Sequence, residues 1–259
     1  MLTATATYNM VTKDLSKSLD RTASAPMVER ETAYYLEHVS DAKSIDDFLA
    51  NDRLYRFAMK AHGLEDMIYA KAFMRKVLED GTHAKDAFAN KLADTRYRDF
   101  AKTYDYKAFG TATTVTTAAQ QGTVDKYLRQ TLEEDVGAQS EGARLALYFE
   151  RKASGITKTM NLLGDPALLK VVQVAFGFNE ATGAMDVNKQ VAMIEKRLDV
   201  ADLQDPSKLK SLLNRFTTLW EAENSTTTMI SNAALLIGQA PTIGVDLLTS
   251  IQNLRLGGS

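Results

Sequence analysis

Apolar side chains recur every three or four residues along most of this chain, which is the spacing of one buried face of a helix. Residues 54–61 and residues 168–175 both place apolar side chains at i, i+3, i+4 and i+7. These side chains are Leu54, Phe57, Ala58 and Ala61 in the first stretch and Leu168, Val171, Val172 and Ala175 in the second. No stretch alternates apolar and polar residues at period two, as a half-buried strand would. The pattern predicts an all-α fold.

The two stretches belong to a longer internal repeat. A shift of 114 positions (Gly177 minus Gly63) lays residues 30–64 over residues 144–178 without a gap. The helix of each copy stops at a glycine, the residue that most easily takes the left-handed conformation after a helix end. The sequence therefore predicts two homologous multi-helix repeats, with Gly63 and Gly177 as structural caps.

This repeat divides the chain into four predicted segments. Residues 1–106 hold the first helical repeat with an N-terminal helix, and residues 123–222 hold the second, more divergent repeat. Residues 107–122 between them are predicted to be a linker, because from position 110 onward they carry no charge and no helical stripe. A run of threonines there leaves a short local strand as the alternative. Residues 223–259 form a C-terminal amphipathic segment without a counterpart in the first copy.

Both termini carry apolar stripes outside the strongest part of the repeat. Residues 9–23 are predicted to form a helix with an apolar side made by Val11, Leu15 and Leu19. Near the other end, a candidate interaction stripe is formed by Leu247, Leu248, Ile251 and Leu254. The C-terminal stripe either folds back on the repeats as a latch or docks on a partner or a second copy. Folding back is favoured, because most apolar stripes at helical spacing are core.

Composition limits the classes of function. The chain has 45% hydrophobic and 25% charged residues and a net charge of −2, which is typical of a globular protein and gives no broad attraction to nucleic acid. The absence of cysteine excludes disulfides, thiolate metal sites and cysteine nucleophiles. The first residues lack the basic and apolar regions of a secretory signal, and no apolar run reaches the length of a membrane span.

No set of residues in this sequence carries recognisable chemistry. His38, His62 and His83 share no spacing typical of metal ligands, and His62 is expected to lie over a helix C-terminus. Acidic pairs such as Asp46–Asp47 are explained by helix capping more simply than by acid and base catalysis. Glycines do not cluster into a phosphate loop. The sequence therefore predicts no catalytic residue, no cofactor and no metal.

Four segments together resemble a known family. They are Val28-x-Arg-Glu-x-x-Tyr-Tyr35, the run from Asp46 to Asp66, the run from Lys71 to Leu78, and the run from Ala89 to Phe100. They are similar to the repeat of an alphaproteobacterial domain of unknown function, whose members are often encoded in flagellar gene clusters. The resemblance implies a helical repeat and a flagellar association, and it supplies no catalytic residues.

These observations lead to one expected function and its alternatives. We expect a non-enzymatic flagellar accessory, structural or assembly protein that acts by binding protein partners, including flagellar components, with self-association possible. We expect it in the cytoplasm or associated with the flagellum, with export independent of a signal peptide as a further route. The alternatives are a generic cytoplasmic helical adaptor and, less favoured, a hydrolase or transferase whose site the sequence does not reveal.

Overall fold

The protein is described here by a computed structural model that covers residues 2–238 and, within them, all side chains except those of residues 180, 181 and 225–238. This part of the chain consists of α-helices and short 3₁₀ helices, which confirms the predicted all-α class. Before residue 110 the helices are α1 (Ala4–Lys13), α2 (Leu15–Ala23), α3 (Pro26–His38), α4 (Ile45–Ala50), α5 (Asp52–Ala61), α6 (Lys71–Glu79), α7 (Phe88–Lys91), α8 (Thr95–Thr103) and α9 (Tyr106–Phe109). After it they are α10 (Gln121–Gly137), α11 (Glu141–Ala153), α12 (Thr159–Leu163), α13 (Pro166–Phe176), α14 (Val187–Glu195) and α15 (Pro206–Gly238). The 3₁₀ helices are Val39–Asp41, Glu65–Met67, Gly110–Val115, Glu180–Ala184 and Val200–Gln204.

Helix α5 illustrates how local sequence forms these elements. Its N-cap is Asn51, whose side chain accepts a hydrogen bond from the backbone N–H of Leu54 at 3.2 Å. Asp52 lies in the first turn, where a negative charge favours the helix dipole. The apolar face expected from the sequence is buried, with Leu54, Phe57, Ala58 and Ala61 each no more than 3% exposed.

Buried side chains form two hydrophobic clusters, one in each half of the chain. The first is rich in aromatic rings, and Phe57 stacks between Tyr35 at 4.3 Å and Tyr127 at 3.9 Å between ring centroids. The second is mostly aliphatic and includes the fully buried Leu162 and Val171. Stacked aromatic pairs add to the stabilisation that burial alone gives.

Each half of the chain contributes a helix to the hydrophobic cluster of the other half. Helix α1 packs against α11 and α15, and its Tyr8 and Val11 belong to the second cluster. The N-terminal helix thus packs with the second half, whereas the sequence grouped it with residues 1–106. Helix α10 begins in the first cluster through Tyr127 and ends in the second through Leu132. Neither half therefore completes its core without a helix from the other.

The segment 107–122, predicted to be a linker, is folded into the first half. It contains α9 and a 3₁₀ helix, and Thr113 and Thr114 are fully buried. Each threonine hydroxyl donates to a backbone carbonyl, Thr113 to Asp105 at 3.2 Å and Thr114 to Ala42 at 3.2 Å. Because these bonds satisfy the hydroxyls, the two threonines can be buried here.

Helix α15 runs through the boundary that the sequence placed between residues 222 and 223. Its 33 residues correspond to a length of about 50 Å at the usual helical rise. The C-terminal segment therefore begins inside a helix. The predicted stripe of Leu247, Leu248, Ile251 and Leu254 lies outside the described residues. Within residues 2–238, no helix is both long and apolar enough to cross a membrane.

Candidate functional site

The two glycines predicted as caps both adopt a left-handed backbone, with φ of 68° at Gly63 and 67° at Gly177. In each case the glycine N–H donates to the carbonyl three residues earlier, and the next N–H donates to the carbonyl five residues before it. These bonds measure 2.8 and 2.8 Å after α5, and 3.2 and 2.8 Å after α13. This is the Schellman arrangement that closes a helix end, so both glycines have a structural role.

Each of the three histidines contacts different residues. His38 stacks on Tyr34 at 4.1 Å, and the exposed His83 lies 3.2 Å from Asp105. His62 is buried and is the C-cap residue of α5, as its position before Gly63 suggested. Over the described part of the chain, no three His, Asp or Glu residues are arranged to hold a metal ion.

Four basic side chains and one acidic side chain from three helices lie near one another where the two halves join. Helix α8 contributes Asp99 and Lys102, α10 contributes Lys126, and α11 contributes Arg151 and Lys152. We call these five residues the junction cluster. Lys152 Nζ lies 3.9 Å from Asp99 Oδ2, and all four neighbours are close enough to influence the pKa of Lys126.

Lys126 lies at the centre of the junction cluster and is bound only by neutral groups. Its Nζ donates to Thr103 Oγ1 at 3.0 Å and lies 3.4 Å from His62 Nε2. No carboxylate of the described residues lies within ion-pair distance of this ammonium. Burial lowers the pKa of Lys126; Asp99 opposes the shift, and the three other cluster cations add to it. The ammonium is thus partly desolvated without a counter-charge, which is an unfavourable arrangement.

His62 provides one of these neutral contacts because it resists protonation. Burial lowers its pKa well below 6.5, and the positive charges of Lys126, Lys152 and Arg151 add to this effect. At neutral pH the imidazole is therefore uncharged, and a ring nitrogen is able to accept a hydrogen bond from Lys126. The ring packs edge-on against Phe100 at 5.2 Å, which fixes its position.

Behind the junction cluster, a buried carboxylate holds α10 to α11. Glu133 is 2% exposed and accepts hydrogen bonds from Arg129 Nε at 2.9 Å and from Arg151 at 2.8 and 2.7 Å. Arg151 also donates to Gln130 Oε1 at 3.1 Å. The Nε and Nη2 groups of Arg151 are therefore engaged within the protein.

Two shallow grooves lie on the second half, on either side of the 3₁₀ helix Val200–Gln204. The first groove has a volume of about 350 Å³ and lies between α1, α11 and α15. The second groove, of about 230 Å³, has Phe176 and Leu212 in its lining and basic residues including Arg197 and Arg215. Leu203 lines both grooves, so the two are adjacent. Together they combine apolar side chains with basic residues and with the carboxylates of Glu150 and Asp202, of which Asp202 pairs with Lys208.

Glu150 is the carboxyl group with a raised pKa among the described residues that line the first groove. Its Oε2 is buried without a hydrogen bond, and Arg129 lies 3.7 Å away. Burial raises the pKa of Glu150, although the positive charges of Arg129 and Lys210 oppose the shift. A carboxyl group with a raised pKa in a groove is a candidate for acid–base chemistry.

Comparison with known proteins identifies a family. The family described as "Protein of unknown function (DUF1217)" matches residues 61–209. An X-ray crystal structure of a protein from Agrobacterium tumefaciens is 49% identical to this chain, with a TM-score of 0.79. The match covers 86% of this chain and 97% of that one. The chain belongs to the DUF1217 family. Among proteins of curated function, none matches it.

The DUF1217 match includes the junction cluster but only part of the grooves. The cluster residues and His62 all lie within residues 61–209, as does the buried Glu133. Tyr8, which lines the first groove from α1, lies before the matched range. The junction cluster is therefore built within the segment that defines the family match.

Sequence reasoning missed both the junction cluster and the buried Arg129–Glu133–Arg151 network. Their members come from helices that are far apart in the sequence, and they match no known motif spacing. The spacing of four between Arg129 and Glu133 was the one local signal, because it places both side chains on one helix face. Their burial depends on where α11 packs, which the sequence pattern alone does not specify.

Proposed function

We propose that this protein is a non-enzymatic accessory or structural protein of the flagellum that acts by binding a protein partner. The flagellar assignment rests on the resemblance of residues 28–100 to a family often encoded in flagellar gene clusters. The binding assignment rests on the paired grooves of the second half. A generic helical adaptor would use the same surface and differ only in its partner.

The paired grooves are the observation that carries this proposal. Apolar side chains such as Phe176 and Leu212 lie beside the positive charges of Arg197 and Arg215. A surface of this kind suits a partner segment that presents apolar side chains flanked by carboxylates. Its basic border would favour acidic partners over basic ones.

We also propose that the two halves arose from one duplicated unit. The pair Tyr34 and Asn51 and the pair Tyr148 and Asp165 are each 17 residues apart, and in both the tyrosine hydroxyl contacts the residue that caps the second helix after its own. Helix starts and the glycine caps also recur at the 114-residue shift. The exchange of helices would then make a monomer resemble an internally paired dimer of repeats.

The test of the flagellar binding function is a deletion strain of the host bacterium, complemented with variants of the second groove. The Arg197→Glu/Arg215→Glu double variant reverses two exposed charges. The Lys17→Glu/Lys91→Glu variant changes the net charge equally on exposed sites elsewhere. We expect loss of swimming in the deletion strain, rescue by the control variant, and poor rescue by the groove variant.

Purification of the tagged protein from cytoplasmic, basal-body and medium fractions would identify the partner and the location. Flagellar components should copurify with the unmodified protein and the control variant, and be depleted with the groove variant. Normal swimming and normal filaments in the deletion strain would contradict the flagellar proposal. Equal partner recovery with both variants would contradict the groove as the docking surface.

A second candidate, a hydrolase or transferase, is favoured only by Glu150 in the first groove. If Glu150 acts as a general acid, Glu150→Gln should abolish turnover of any substrate found by activity screening while leaving partner binding unchanged. A protein whose partner binding and motility are unaffected by Glu150→Gln, and which shows no turnover, supports the binding function instead.

A further inference from the structure

The junction cluster contains more positive than negative charge. Four cations, Lys102, Lys126, Arg151 and Lys152, lie near three carboxylates, Asp94, Asp99 and Glu133. Glu133 is shared with Arg129, Asp94 pairs with Arg96 at 2.7 Å, and Asp99 lies at the outer limit of ion-pair distance from Lys152. The cluster therefore retains uncompensated positive charge at a partly buried position.

Proteins seldom keep such a group without a use, because a desolvated and mutually repelling charge lowers stability. Lys126 uses two of its three N–H groups on Thr103 and His62, both neutral. A neutral side chain of similar length would satisfy the same packing without repulsion. The arrangement is explained if an anion completes the coordination of the ammonium.

The donors indicate the class of anion. Arg151 has its planar fork occupied by Glu133 and Gln130, so it offers no free bidentate face for a carboxylate. The remaining donors are Nη1 of Arg151 and three ammonium groups, and an ammonium group acts as a point charge with rotatable N–H bonds. They come from three helices: α8 with Lys102, α10 with Lys126 and α11 with Lys152. Such donors match a tetrahedral anion that carries close to two negative charges.

We propose that the junction cluster is a binding site for a phosphate-type oxyanion, centred on the ammonium of Lys126. The anion lies between the first half, through Lys102 of α8, and the second half, through Lys152 of α11. Occupancy therefore joins the two halves at this point. This site is separate from the grooves, so its test does not depend on the proposed partner binding.

The test measures thermal unfolding of the full chain during titration with inorganic phosphate at constant ionic strength, with chloride as the compensating ion. A ligand that binds only the folded state raises the melting temperature in a saturable way. We expect a saturable rise with phosphate and sulfate, and no saturable rise with acetate. Glycerol 3-phosphate distinguishes the source, because a stronger effect than that of phosphate indicates a phosphate monoester as the ligand.

Lys126→Gln should remove the saturable rise, and without phosphate it should melt at the same temperature as the unmodified protein or higher. Lys17→Gln, an exposed change on α2, should leave the response intact. Lys102→Glu provides a second test at an exposed position, where folding is not at risk, and should weaken phosphate binding at least several-fold. A saturable rise that survives in Lys126→Gln, or a rise in the unmodified protein that chloride reproduces, would overturn the proposal. If Lys126→Gln does not fold, Lys102→Glu decides: unchanged phosphate affinity contradicts the site.

Discussion

Tyr148 donates a hydrogen bond from its hydroxyl to Asp165 Oδ2 at 2.6 Å, and Asp165 in turn caps the first turn of α13. Helix α11 therefore holds the start of α13 through a single side-chain pair. The corresponding pair in the first half is Tyr34 and Asn51, with a longer contact of 3.2 Å from the Asn51 amide to the tyrosine oxygen. The two pairs share a geometry but differ in charge.

This difference predicts unequal effects of removing the hydroxyls. A hydrogen bond to a charged group contributes roughly 1.5–3 kcal/mol, against about 1 kcal/mol for a neutral one. Tyr148→Phe should therefore lower the free energy of unfolding by about 2 kcal/mol, and Tyr34→Phe by about 1 kcal/mol or less. Urea denaturation of both variants measures the difference. Equal losses would show that the charge of Asp165 adds nothing to this contact.

The buried Glu133 leads to a larger expected effect. Glu133→Gln keeps the shape of the side chain but removes the charge that faces Arg129 and Arg151. Breaking a buried pair by removing one partner typically costs about 3–5 kcal/mol, because the other charge stays buried. Glu141→Gln is the control, since Glu141 pairs with Arg144 at the surface, where such pairs contribute about 1 kcal/mol or less. Chemical denaturation should separate the two variants clearly. A similar small loss in both would mean that water reaches the buried network.

The glycine caps give a third prediction, which concerns the backbone. Replacing glycine by alanine at a left-handed position costs roughly 1–2 kcal/mol. Gly177→Ala isolates this backbone cost, because nothing lies within 4 Å of the position that a Cβ would occupy. Gly183→Ala is the control, as it has equal space but no left-handed backbone. The free energy of unfolding should fall in the first variant and stay unchanged in the second. A neutral Gly177→Ala would contradict the capping role.

Features confined to one turn or one helix could be predicted from the sequence, and features made by distant segments could not. The glycine caps Gly63 and Gly177 have the predicted left-handed backbone, since neighbouring residues determine a helix end. The burial of Thr113 and Thr114 was missed because their hydroxyls donate to carbonyls that tertiary packing brings within reach. The junction cluster was missed for the same reason: Lys126 contacts Thr103 and His62 across 23 and 64 positions of sequence.

Gly142 is another residue whose surroundings depend on a distant segment, and it gives a fourth prediction. It lies within α11, and a Cβ at this position would come within 2.4 Å of the Trp220 ring on α15. Gly142→Ala should therefore force the two helices apart or turn the indole, at a cost of about 1–3 kcal/mol for an overpacked contact. Trp220 is the only tryptophan, so its fluorescence reports the change directly. Gly137→Ala is the control, because the group it would meet is the flexible side chain of Arg144. Unchanged fluorescence and stability in Gly142→Ala would contradict the close helix contact.

The last prediction concerns pH. Burial, reinforced by nearby cations, lowers the pKa of His62 in the folded state well below 6.5, whereas in the unfolded chain it stays close to 6.5. Between those two values the unfolded state binds a proton that the folded state does not. Stability from this group is therefore fully present above pH 6.5 and is lost as the pH falls below it, at a rate of roughly 1 kcal/mol per pH unit. Melting curves from pH 7.5 to pH 5 should show this loss for the unmodified protein and for His38→Gln, which alters a half-buried histidine elsewhere. His62→Gln should be less stable at pH 7.5 but should show a smaller loss on acidification. Parallel pH profiles for His62→Gln and the unmodified protein would show that His62 is not the group responsible.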